Sequence, residues 1–282
     1  MKKQISLILL LILAFSLAAC GFSRSAPDIA ATTLPVYQFT AALCEGTGLE
    51  VARLIQDSVS CLHDYTLQVD QMKTAQGAEV IVLSGLGLED FLDDVLSGHE
   101  KTIDASEGIT PLPSEEEGDD PHIWLSPDLA MVMAENICSG LCRYYPEYTD
   151  SFLRNREALL LRLSDLALYG QESLSDLHCR QLVTFHDGFS YFADAFGLEI
   201  LMAVEEESGA EASAEDLTTL IDLVKANSLP AIFTERNGST SAARIVASET
   251  GISFYALDMA ISGQDYFEAM YGNIDTIREA LQ

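Results

Sequence analysis

Residues 148–177 have the sequence YTDSFLRNREALLLRLSDLALYGQESLSDL, which contains no proline and a single glycine, Gly170. Leucine, arginine, glutamate and alanine dominate the segment, and all four favour helices. Its apolar residues recur at near-helical spacing, among them Phe152, Leu159, Leu160, Leu163, Leu166 and Leu174. The pattern predicts one long helix that packs against the rest of the protein along one face.

The sequence on either side of this helix alternates short apolar runs with amphipathic segments, which is typical of α/β proteins. Before it, strands are predicted at 29–33, 50–54, 80–83 and 102–104, and helices near 37–45, 69–76, 88–96 and 127–144. After it, strands are predicted at 181–185, 199–203, 231–234 and 253–257, and helices at 189–196, 215–227, 240–250 and 266–281. We therefore expect two (β/α) lobes, each with a mostly parallel sheet, joined by the long helix.

The N-terminus has the pattern of an export signal. Two lysines precede an apolar run from Ile5 to Ala19 that is too short for an ordinary membrane-spanning helix. The sequence Leu17-Ala-Ala-Cys20 resembles a bacterial lipobox, in which the cysteine is acylated after cleavage. Cys20 is therefore predicted to anchor an exported protein to the outer face of the cell membrane or in the periplasm. The alternative is an uncleaved membrane anchor in which the cysteine is incidental.

These features predict five segments. They are a signal peptide (1–19), a tether (20–27), an N-terminal lobe (28–147), the linking helix (148–178) and a C-terminal lobe (179–282). No apolar run after the signal approaches the roughly 20 residues needed to cross a bilayer. The formal net charge is −29, which would repel nucleic acid and raise the local concentration of cations.

Five cysteines remain besides Cys20, so they cannot all pair with one another. Outside the cytoplasm a bridge between Cys44 and Cys61 is plausible, but spacing does not give connectivity. Cys138 and Cys142 are spaced i, i+4 on a predicted helix. They could act as thiol ligands, but two small core residues are the favoured interpretation.

Three of the five histidines follow predicted strands: His63, His122 and His186. Ligands of open α/β sheets bind beyond the carboxyl ends of the strands. His63 and His122 belong to the first lobe and His186 to the second, so a site that uses all three lies in the cleft between lobes. Asp258, directly after the last predicted strand, could add a carboxylate. Such a set suits zinc, although any one of these histidines could instead be structural.

An ordered series of motifs makes the comparison more specific. It comprises Pro35-Val-Tyr37, His63-Asp-Tyr65, Gly85-Leu-Gly-Leu-Glu-Asp-Phe91, Asp120-Pro-His-Ile-Trp-Leu-Ser-Pro127, His186-Asp-Gly-Phe-Ser-Tyr-Phe192, Phe233-Thr-Glu235 and Leu257-Asp258. From about Asp28 to the C-terminus, the chain resembles the zinc- and manganese-binding lipoproteins of ABC importers, the cluster 9 solute-binding proteins.

The resemblance implies a metal site between the lobes, with His63, His122, His186 and Asp258 as ligands and Glu235 as a supporting acid. The third ligand is typically glutamate in manganese-type members, so His186 favours Zn²⁺, with Mn²⁺ or iron as the alternative cargo. The implied partners are a membrane permease and its ATPase, and we expect a monomer that does not bind nucleic acid.

Two departures and two rival functions accompany this prediction. Residues 114–120 are acidic where many zinc-type members carry a histidine-rich loop, and Val204-Glu-Glu-Glu207 replaces an apolar-glycine pair. A zinc hydrolase would also use three histidines, but the chain has no His-Glu-x-x-His motif. A surface adhesin is the other rival, with no positive sign in the sequence. We therefore expect a binding protein and not an enzyme.

Overall fold

The computed structural model describes residues 26–56, 62, 65–113, 119–204 and 213–282. The first half forms a four-stranded sheet of parallel strands in the order β2-β1-β3-β4. The strands are β1 (Ile29–Ala31), β2 (Val51–Arg53), β3 (Val80–Leu83) and β4 (Thr102–Asp104). β1 is wholly buried and β3 nearly so, as expected for central strands covered on both faces.

The helices of the first half are α1 (Leu34–Leu43), α2 (Val69–Gly77), α3 (Asp93–Leu96) and α4 (Pro127–Tyr144). The predicted helix at 88–96 is wrong in its first part, since only a 3-10 turn at Asp90–Leu92 and the short α3 are helical. Gly85, Leu86 and Gly87 all have positive φ, of 93°, 55° and 80°. Because of this left-handed backbone, helical structure begins only at Asp90, and the Glu89 side chain points into the protein.

The long helix α5 runs from Thr149 to Ser173 and stops four residues before the end of the predicted helical pattern at Leu177. Its end is fixed from outside, because Arg180 Nη2 donates to the carbonyls of Leu174 and Ser175 at 2.8 and 2.9 Å. A positive side chain at this place also suits the negative end of the helix dipole.

The second half repeats the arrangement of the first, and the predicted two-lobe α/β fold is confirmed. Its parallel sheet has the order β6-β5-β7-β8. The strands are β5 (Gln181–Thr184), β6 (Glu199–Ala203), β7 (Ala231–Glu235) and β8 (Ser253–Leu257), and the helices are α6 (Ser190–Phe196), α7 (Ala214–Asn227), α8 (Ser241–Thr250) and α9 (Tyr266–Leu281). Ser213 and Asp216 form a capping box at the start of α7.

One apolar core cluster extends across both lobes, and the second lobe has a smaller cluster of its own. Trp124 of the first lobe is fully buried, and its Nε1 donates to the Met259 carbonyl at 2.8 Å. The Tyr266 hydroxyl donates back to the Trp124 carbonyl at 2.7 Å. A further backbone hydrogen bond, from Leu34 N–H to the Ile261 carbonyl, measures 3.1 Å. Separation of the lobes would break these bonds and expose apolar surface, so wide opening is disfavoured.

The cysteines of the described residues carry free thiols. Cys44 is buried, and burial raises its pKa to about 12, so its thiol is protonated. Burial and the neighbouring Cys142 raise the pKa of Cys138 to about 12 as well. Cys61 lies outside the described residues, as do the predicted signal segment and Cys20. Within the described ranges, no helix has the length and apolarity needed to span a membrane.

Candidate metal centre

His122 is held by a neighbouring carboxylate. The Oδ1 atom of Asp120 accepts hydrogen bonds from the His122 backbone N–H at 2.9 Å and from its ring Nδ1 at 2.8 Å. Both side chains are nearly inaccessible to solvent. Because an ionised carboxylate only accepts, Nδ1 donates in this hydrogen bond, and in the neutral ring Nε2 then carries the lone pair. A carboxylate that orients a histidine in this way is the usual support of a metal ligand.

His186 comes from the other lobe and meets His122. It lies two residues beyond the end of β5 and is buried. The two imidazole centroids are 5.4 Å apart, with their planes at 85°. The lobes therefore bring together two of the three predicted histidines.

Gly188 makes room for the His186 ring. A Cβ atom at this position would lie 2.8 Å from His186 Cδ2 and 3.0 Å from Nε2, and 2.5 Å from Met259 Cε. Any side chain at residue 188 would therefore press on the edge of the imidazole. This glycine lies within the motif that begins at His186, but no role was predicted for it from the sequence.

Tyr191 ties the second lobe to the loop of His122. Its hydroxyl donates to the Asp120 carbonyl at 2.8 Å and accepts from the Leu112 N–H at 2.9 Å. Burial raises the pKa of Tyr191 to about 12, so it stays neutral and able to donate. The backbone carbonyl of Asp120 is thus held by Tyr191 of the second lobe, while its carboxylate orients His122 of the first lobe. This role of Asp120 was not predicted from the sequence, where its only signal is an acid two residues before a candidate ligand.

Asp258 directly follows β8 and has a rigid backbone. Asn273 accepts from the Asp258 N–H at 2.8 Å and donates to its carbonyl at 2.7 Å. The carboxylate is engaged as well, since Oδ1 accepts from the Ala260 N–H at 2.8 Å and Oδ2 lies 3.4 Å from Arg236 Nε. It borders a cleft of about 390 Å³.

Glu235 is the last residue of β7 and is buried. Its backbone pairs with Leu257 in the sheet, and its carbonyl accepts from the Gly238 N–H at 3.1 Å. A Cβ atom at Gly238 would lie 3.2 Å from the Glu235 Cβ, so the turn closes tightly over this acid. Its supporting role remains a prediction.

The other predicted features fall elsewhere. His63 lies outside the described residues, as do most of the acidic segment 114–120 and residues 205–207 of the Val204 motif. Among the residues that the structure describes, no group of three or more His, Cys, Asp or Glu side chains is assembled to hold a metal ion. The four-residue ligand set therefore remains a prediction.

The chain is a two-lobed α/β protein in which a long helix joins two parallel sheets and two buried imidazoles meet between the lobes. The profile of the family described as "Zinc-uptake complex component A periplasmic" matches residues 29–280. This chain belongs to that family, which confirms the resemblance seen in the sequence. The family consists of solute-binding components of metal uptake.

Individual relatives agree with this assignment. The zinc-binding lipoprotein AdcA of Streptococcus pneumoniae is 29% identical over 306 residues, which cover 98% of this chain but 61% of AdcA. A putative metal-binding protein of Treponema pallidum is 29% identical, with 94% and 93% of the two chains covered. A crystal structure of ZnuA superimposes with a TM-score of 0.81 at 32% identity, covering 91% of this chain and 99% of that one.

Proposed function

We propose that this protein captures Zn²⁺ outside the cytoplasm and delivers it to an ABC-type importer in the cytoplasmic membrane. The observation that carries the proposal is the buried contact of His122 with His186 across the two lobes, with Asp120 orienting the first ring. Neutral imidazole is a preferred zinc ligand. Membership of a family described by zinc uptake gives independent support.

The proposed ligands are His63, His122, His186 and Asp258, with Glu235 as a supporting acid. Three nitrogen donors and one carboxylate oxygen can complete a tetrahedral zinc shell. A nitrogen-rich set binds Mn²⁺ more weakly than Zn²⁺, so zinc is the proposed cargo, and manganese or iron is the alternative.

The proposed organisation follows from export. Residues 1–19 would be removed, Cys20 would be lipidated, and residues 20–27 would tether the lobes 28–147 and 179–282 to the membrane. The partners would be a permease and its ATPase, and the protein would act as a monomer. We infer no catalysis, because a carboxylate at the fourth ligand position would leave no open site for a substrate.

A competitive metal titration tests the proposal. A soluble form that begins after Cys20 is titrated with Zn²⁺, Mn²⁺ and Fe²⁺ against a chromophoric chelator. We expect one equivalent of zinc to bind, more tightly than the other two ions. Absence of saturable binding would overturn the proposal. Preference for manganese would retain the proposed role in metal delivery but change the metal ion that is delivered. Hydrolysis of ester or peptide substrates that is lost on chelation would instead support the interpretation as a zinc hydrolase.

Replacing Asp120 by asparagine should weaken zinc binding by about 10- to 100-fold, because the neutral amide orients His122 less firmly and makes it a poorer donor. The same chelator competition measures the change. Asp119→Asn is the matched control, since it removes the same charge from an adjacent, exposed residue. Equal effects of the two substitutions would show that Asp120 acts only through its charge and not through the hydrogen bond.

A further inference from the structure

Sheet register places a cation beside the candidate ligand Asp258. Glu235 pairs with Leu257 at the ends of β7 and β8, and the Arg236 N–H donates to the Leu257 carbonyl at 2.8 Å. Arg236 and Asp258 are the next residues of these neighbouring strands, so both leave the sheet at the same edge. Their side chains meet there, with 3.4 Å between Arg236 Nε and Asp258 Oδ2.

Only one carboxylate oxygen of Asp258, Oδ2, can exchange its present partner for a metal ion. The two hydrogen bonds to Asn273 fix the backbone on both sides of the residue, and Oδ1 accepts from the Ala260 N–H. Oδ2 can therefore interact either with the Arg236 guanidinium or with a metal ion. Among the described residues, Asp258 does not form a group of three with His122 and His186. This arrangement suits a carboxylate that is held by another cation.

We propose that Arg236 competes with the cargo for Asp258. The guanidinium holds the carboxylate before metal binds, and a bound metal ion displaces it; no covalent bond changes. The inference rests on the proposed function and adds a residue that lowers affinity and eases release. The Arg236 side chain is 60% exposed, against 17% for Asp258, and it borders the cleft of about 390 Å³. When the guanidinium is displaced from Asp258, it can therefore move into solvent.

The test compares Arg236→Gln, Asp258→Asn and the double variant by zinc competition with a chelator, in the soluble form that begins after Cys20. Arg236→Gln should tighten zinc binding by roughly two- to fivefold at low salt, the range of a partly exposed ion pair. The gain should shrink at high salt, because screening already weakens the pair in the wild type. In the Asp258→Asn background, the gain should disappear.

Arg244→Gln is the matched control. Arg244 is an exposed arginine of the same lobe, and its Nε donates to the Thr240 hydroxyl at 3.2 Å. Its removal changes the net charge equally without touching Asp258, so zinc affinity should stay at the wild-type value. Thermal unfolding of each variant checks that the fold is retained.

Three outcomes would overturn the inference. Unchanged or weaker zinc binding by Arg236→Gln would show that no competition exists. An equal gain in the Asp258→Asn background would show that Arg236 acts through its charge and not through this carboxylate. In both cases the proposed function stands, because the wild type still binds zinc. A wild type that binds no zinc would remove the proposed function and this inference together.

Discussion

Substitution of His186 by alanine should weaken zinc binding by at least about 100-fold. Structural zinc sites are worth about 10 to 16 kcal/mol of binding, so each of four ligands contributes roughly 2.5 to 4 kcal/mol, which is about two to three orders of magnitude in affinity. His186 is buried against His122, and in this variant no other imidazole of the second lobe is placed to replace it among the described residues. Chelator competition measures the loss.

His99→Ala is the control for this experiment. His99 is partly buried, and its Nε2 lies 3.0 Å from the Ala75 carbonyl, in a part of the first lobe unconnected with His186. We expect wild-type affinity for this variant. A His186→Ala protein that keeps its fold and binds zinc as tightly as His99→Ala would contradict the ligand assignment.

Substitution of Glu89 by alanine should cost about 3 to 5 kcal/mol in the free energy of unfolding. Its buried carboxylate accepts from the Thr32 hydroxyl at 2.6 Å and from the N–H groups of Ser84 and Gly85 at 2.7 and 3.0 Å. Alanine would leave these three donors buried without an acceptor, and each such loss costs about 1 to 3 kcal/mol. Chemical denaturation with a metal chelator present measures the change. Glu135→Ala, at an exposed position of α4, should have little effect.

The cost of Glu89→Ala should also depend on pH. Burial raises the pKa of Glu89 from 4.5 to about 7, so between these values the folded protein binds more protons than the unfolded chain. The stability from this group is complete below about pH 4.5 and declines as pH rises toward 7, by about 3 kcal/mol. The substitution should therefore cost more at pH 5 than at pH 8. A cost that is equal at both, or greater at pH 8, would contradict the raised pKa.

The regular part of the fold could be predicted because its signals are local. Buried parallel strands leave short apolar runs, and α5 leaves a long amphipathic pattern without proline. The errors lie at the ends of two helices. Arg180 ends α5 from outside the helix, and the left-handed backbone at Gly85, Leu86 and Gly87 prevents the early helix start predicted at Leu88.

The candidate site, like the fold, could be predicted only in part from the sequence. A site that uses histidines of both lobes must lie between the lobes, so the approach of His122 to His186 could be expected from their positions. The engagement of Asp258 by Arg236 could not, because it depends on the register of β7 against β8. The orientation of His122 by Asp120 depends on a turn whose geometry only the folded chain defines.

The position of Trp124 gives the protein an internal optical reporter. It is the only tryptophan in the chain, and its ring lies 5.3 Å from that of His122. Its indole N–H bonds to the opposite lobe, so parting of the lobes would wet the ring and move its fluorescence emission to longer wavelength. An event confined to the His122 imidazole would instead alter the emission intensity at constant wavelength. One chromophore can thus distinguish movement between the lobes from chemistry at the ring.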